Sequence, residues 1–152
     1  MTTVYDVPAD KFIDKLALKL SEFEAIAAPE WAQFAKTGAH REKAPLRSDW
    51  WQVRAAAVLR KIYMKGPIGI ERMTAEFGGR SDRGSAPYRA VRGSRSVARE
   101  MLKQLEKSKL IKKDRGVGRS ITPAGQALVD NISHELLKEL SEERPELSKY
   151  LA

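Results

Sequence analysis

The chain has 152 residues, 42% hydrophobic and 32% charged, which suits one compact domain with a moderate core. It contains no cysteine, which excludes a disulfide framework and any thiolate metal site. A net charge of +8 and a pI near 9.8 point to a polyanionic partner.

The charge is sorted along the chain. Residues 1–35 sum to −3, 36–65 to +6, 66–79 to −1, 80–119 to +9 and 120–152 to −3. Two large blocks of one sign favour nucleic acid over a merely solvated surface. The N-terminus lacks the basic start and apolar core of a signal peptide, and no apolar run is long enough to span a bilayer. A cytoplasmic protein with no membrane contact is expected.

In chain order, residues 8–24 read as an amphipathic helix whose stripe is Phe12, Ile13, Leu16, Leu20 and Phe23. Residues 29–36 read as a short second helix between Pro29 and Gly38, followed by a basic loop with His40, Arg41, Lys43 and Arg47. Residues 48–65 form the segment around which the rest is organised. Ser48-Asp49 supplies a cap, Gly66-Pro67 a stop, and Trp51, Ala55, Val58, Leu59, Ile62 and Tyr63 one broad apolar face. Arg54, Lys61 and Lys65 line another side, with Trp50 beside them. Trp50 is read as a base-stacking ring, as a support for Arg54 or as core, and Trp51 and Trp31 as core.

A shorter helix over 68–77 ends at Gly78-Gly79. The spacing then predicts a long basic loop over 80–94, carrying Arg80, Arg83, Tyr88, Arg89 and Arg92, of the kind that orders on a phosphate backbone. Ser94 or Ser96 caps a helix reaching Lys107, with Val97, Ala98, Met101, Leu102 and Leu105 on its core face. Arg95, Arg99 and Lys103 recur on another. Two short strands around Asp114–Arg119 make a β-hairpin. Thr122-Pro123 starts a helix to about Leu140, and residues 141–152 form an acidic tail that is loosely held or briefly helical.

This order predicts a mainly α fold of about five to six helices around a central amphipathic helix, winged-helix-like, with one β-hairpin as the wing. Residues 1–140 are read as one such domain and 141–152 as its tail. Winged helices also serve as DNA-binding transcriptional regulators and as protein-docking modules, so both stand as alternatives.

Several strings resemble a known family: Pro29-Glu30-Trp31; Asp49-Trp50 with Arg54-Ala55-Ala56, Arg60, Tyr63 and Gly66; and Met73-Thr74 followed by Gly78-Gly79-Arg80. Further ones are Arg92-Gly93-Ser94-Arg95-Ser96-Val97-Ala98-Arg99 and Gly118-Arg119-Ser120-Ile121-Thr122-Pro123-Ala124-Gly125-Gln126. Over residues 5–135 the chain resembles the nineteenth eukaryotic-type small-subunit ribosomal protein, a family shared by archaea and eukaryotes. The resemblance implies a non-enzymatic rRNA-binding constituent of the small-subunit head. It also implies a part in maturing that subunit, and neighbouring ribosomal proteins as partners. Trp50, Arg54, Arg60 and Arg99 fall at family positions in the basic RNA-facing surface or its support. Glu100 departs from the pattern, standing where a second basic residue would extend that surface.

The expected RNA-binding set is therefore Trp50, Arg54, Arg60, Lys61 and Lys65 on the central helix, with Arg80, Arg83, Tyr88, Arg89 and Arg92 on the arm. Arg95, Ser96, Arg99 and Lys103 follow on the next helix, and Arg115 and Arg119 at the hairpin. Arginine suits this task because its planar fork pairs with phosphate and stacks on bases. Tyr88 is the better stacking candidate among the aromatics. His40 and His134 lack nearby ligand partners, and no catalytic constellation is evident. No cofactor or metal is expected, and the free protein is expected to be a monomer.

Overall fold

The computed structural model, which describes residues 2–151, centres on helix α2 (Trp50–Lys65). Its buried side, Trp51, Ala55, Ala56, Val58, Leu59 and Ile62, follows the helical period read from the sequence. The small alanines allow close approach of α1 (Ala9–Leu20), which buries Phe12, Leu16 and Leu20 against it. The indole N–H of Trp51 donates to Gln104 Oε1 at 2.8 Å, and the Gln104 amide donates to the Ala27 carbonyl at 2.8 Å. That chain satisfies the one polar atom the large ring carries into the core. Trp31 sits edge-on to Trp51 at 5.7 Å but remains 40% exposed, so it roofs the core instead of entering it.

Capping separates the elements. Asp49 occupies the N-cap position of α2, yet its carboxylate accepts the Arg47 guanidinium at 2.9 and 2.8 Å and makes no cap bond. The expected short helix over 29–36 is a 3₁₀ turn, Glu30–Gln33. After α2 come α3 (Ile70–Glu76), α4 (Arg95–Lys107), strands β3 (Ile111–Asp114) and β4 (Gly118–Ile121) of a hairpin, and α5 (Pro123–Glu143). Strands β1 (Gly79–Arg83) and β2 (Ala86–Val91) lie between α3 and α4. Ser94 caps α4 by accepting the Val97 N–H. Thr122 caps α5 by accepting the Gly125 N–H at 3.1 Å while its hydroxyl donates to the Leu110 carbonyl at 2.9 Å. Gly125 is required there, because a Cβ would lie 2.2 Å from the Leu110 carbonyl oxygen.

The sequence α3, α4, β3–β4, α5 is winged-helix order, and Ile68 extends the wing by exchanging two 3.0 Å backbone bonds with Arg119. The expected loop over 80–94 is instead a second antiparallel hairpin, β1 (Gly79–Arg83) with β2 (Ala86–Val91). Asp82 Oδ1 accepts the Gly84 N–H at 2.9 Å, and Gly84 turns the chain at φ 68. The strands were invisible to a periodicity reading because side chains from Asp82 to Ala90 are exposed, so neither face carries an apolar row. Its feet are nonetheless fixed. Gly93 bridges Gly38 and donates to the Thr74 carbonyl at 2.9 Å, and the Ser94 N–H donates to the Thr37 carbonyl at 2.9 Å.

The tail forms a 3₁₀ segment, Pro145–Tyr150, that folds back on α5 and packs Leu147 and Leu151 against the core. No helix among the described residues is long and apolar enough to cross a membrane.

Candidate nucleic-acid interface

Arg54, Lys61 and Lys65 share one side of α2, and the C-terminal end of α3 reaches them through Glu76 and Phe77. The Arg54 guanidinium stacks 4.4 Å above the centre of the Phe77 ring. Among the described residues no carboxylate reaches ion-pair distance of it. Burial, and then the neighbouring Arg41 charge, lower its pKa. A half-desolvated cation without an anion is costly to keep, and phosphate would relieve that cost.

The two lysines are placed differently. Both reach Glu76, Lys61 at 3.0 Å, and the bonds from Lys65 and then Lys61 hold the Glu76 carboxyl below the usual carboxylate value. One turn earlier Glu71 binds both Arg92 and Arg95. Helix α3 thus gathers five expected site residues, Arg54, Lys61, Lys65, Arg92 and Arg95, around two carboxylates and one ring. Each carboxylate lies between two cations and leaves one net positive charge.

Beside Arg54 a groove of about 910 Å³ opens between the 37–47 loop, Ile13 and the α2 residues Trp50, Val53 and Ala57. Arg41 and Lys43 rim it, while Arg47 is tied to Asp14 and Asp49 at 2.9 and 2.8 Å. Trp50 is part-buried, edge-on to Trp51 at 5.3 Å, with its side in the groove. It is thus propped by the core ring of Trp51 while lining a surface cleft. His40 packs against Gly38 and Gly79, and burial, then the Arg41 and Arg54 charges, lower its pKa. The sequence shows that this loop is basic but not that Arg41 and Lys43 adjoin Arg54. Only the fold of the loop over α2 brings them together.

On the β1–β2 hairpin, Arg80 lies 4.4 Å over the Tyr88 ring, and Arg83 folds onto the Pro87 carbonyl with bonds of 2.9 and 2.8 Å. Arg89 is exposed. On α4, Ser96, Arg99 and Lys103 are exposed, with Lys103 3.8 Å from Glu100. Arg60 is part-buried, its Nε enclosed without a hydrogen-bond partner among the described residues. The wing divides its two arginines. Arg115 is exposed at the tip, whereas Arg119 is only 12% exposed and faces Glu106 at 3.5 Å without hydrogen-bond geometry.

Comparison with known proteins accords with this cationic, mainly helical molecule. A family model described as ribosomal protein S19e matches residues 3–139. The small ribosomal subunit protein eS19 of Aeropyrum pernix is 47% identical over 153 residues, covering 99% of this chain and 100% of the relative. That of Thermoplasma acidophilum is 44% identical over 151 residues, with 99% and 100% covered. That of the eukaryote Myxine glutinosa is 38% identical over 135 residues, with 89% and 93% covered. The chain therefore belongs to the S19e family of ribosomal proteins.

Proposed function

We propose that this protein, a structural constituent of the small ribosomal subunit, holds rRNA through its phosphate backbone along the α2–α3 side and the adjoining groove. The observation that carries the reading is Arg54, stacked on Phe77, partly desolvated, next to Arg41 and, among the described residues, without a carboxylate within ion-pair reach. Lys61 and Lys65 at Glu76, Arg92 and Arg95 at Glu71, and the exposed Arg99 and Lys103 of α4 are the further cations assigned to rRNA. Binding of this kind reads shape and backbone more than sequence. The family resemblance supports a seat in the subunit head among other ribosomal proteins, and a requirement for the protein in subunit maturation.

Electrophoretic binding to small-subunit rRNA across a salt series tests the reading. Wild-type affinity is expected to fall steeply with salt, because phosphate contacts release counterions. Arg54→Glu is expected to weaken binding roughly tenfold or more and reduce the salt slope by about one. Circular dichroism checks that the variant stays helical, and Arg54→Gln, which adds no new charge, gives a milder loss of the same sign. Equal affinity for duplex DNA and rRNA would favour a DNA-binding regulator instead. Absence of binding to either would favour a protein-docking module.

A further inference from the structure

We propose that the β1–β2 hairpin is a stacking platform for an unpaired RNA base, with Tyr88 as the contact surface. This inference rests on the rRNA-binding reading but adds a contact of a different physical kind. The hairpin contributes nothing to the core, since its side chains from Asp82 to Ala90 are exposed. A lone two-stranded hairpin is marginal in water, yet this one is held by a turn at one end and by fixed feet at the other.

Its face is specific. Arg80 pairs opposite Ala90, and Tyr88 lies diagonally across, so Arg80 and Tyr88 share one side of the ribbon. The guanidinium covers one face of the phenol ring at 4.4 Å, and the ring is still 58% exposed. What remains is a flat aromatic surface backed by a cation, the arrangement on which a nucleobase stacks without regard to sequence. The flanking acid is already used, because Asp82 accepts the turn N–H of Gly84. Among the described residues neither Arg80 nor Arg89 has a carboxylate partner. The side chains near Tyr88 are small, Ala86, Pro87 and Ala90, so no apolar patch suited to a protein helix is formed. A base within a duplex keeps its faces covered, so the occupant is unpaired, in a loop, bulge or single strand.

The test uses the full-length protein and two probes, a short RNA stem–loop with a uridine-rich loop carrying one 5-iodouridine, and a blunt RNA duplex of equal charge. Near-ultraviolet irradiation is expected to join the iodouridine to Tyr88, located by mass spectrometry of the digested adduct. Tyr88→Ala is expected to weaken stem–loop binding roughly 10- to 100-fold, leave duplex binding unchanged, and leave the salt slope unchanged because no counterion is involved. Tyr88→Phe keeps the ring and is expected to bind within about twofold of wild type. Equal loss on both probes, no loss on either, or a crosslink only to other residues would overturn the platform while leaving phosphate binding intact. If the wild-type protein binds neither probe, both readings fail together.

Discussion

Glu76 offers a test in which stability and affinity move in opposite directions. Glu76→Gln keeps the side-chain shape but removes the charge that Lys61 and Lys65 share. The Glu76 side chain is 18% exposed, Lys61 32% and Lys65 47%, so both pairs are partly screened. At about 0.2–1 kcal/mol per such pair, with the more exposed Lys65 pair at the lower end, the substitution should destabilise the fold by about 0.4–1.2 kcal/mol. The same change raises the local charge of the three groups from +1 to +2. One further counterion is then displaced on RNA binding, steepening the salt slope by roughly 0.7–0.9 and tightening binding about five- to tenfold at 0.1 M salt. Urea unfolding measures the first effect and a salt series of RNA titrations the second. The pH dependence has a definite sign. Because the folded carboxyl lies below the ordinary value of 4.5, its stabilisation is complete above that pH and is lost as pH falls through the folded value. The stability gap between the two proteins should therefore close in acid. A folded Gln variant that binds RNA more weakly, with an unchanged slope, would refute the reasoning. Glu76 would then be positioning the lysines instead of competing with phosphate for them.

Gly125→Ala should be destabilising by about 1–3 kcal/mol in denaturant titrations, because the added methyl meets the Leu110 backbone carbonyl, which cannot step aside as a flexible side chain would. An unchanged midpoint would mean that α5 slides over β3 more readily than its capping implies. Tyr63 donates to Asp130 at 2.7 Å, and burial first, then that bond, push its pKa up to about 12. Ultraviolet titration should show one tyrosine ionising later than the rest, and Asp130→Asn should advance it. The linked stabilisation is whole below the ordinary value of 10.0 and disappears as pH rises through about 12.

The helices were legible where a core face and an end signal agreed. Helix α4 begins after Ser94 and α5 after Thr122 as their chemistry implies, and α2 buries the face its periodicity marks. The β3–β4 wing was legible because the apolar pair Leu110-Ile111 runs into Lys112-Lys113 and a glycine-bearing turn, with Ser120-Ile121 beyond it. The β1–β2 hairpin was not, because a ribbon with no buried side leaves no hydrophobic signature. Among site residues, the cationic row on α2 follows from spacing alone. That Glu76 and Glu71 each take two of the cations is a tertiary fact, since their partners lie 11, 15, 21 and 24 positions away along the chain. Arg119 shows the same limit: its place in the turn region suggested an outer position, but its backbone pairing with Ile68 directs the side chain inward.

The stitches at Gly38–Gly93 and Thr37–Ser94 fasten the groove loop, the hairpin feet and the start of α4 at a single knot. The groove loop, remote in the chain from the other two, cannot sway independently of them there. A ligand that stills the loop has already met part of the ordering cost for one arriving at the ribbon, so their grips should reinforce each other even without any visible change of shape.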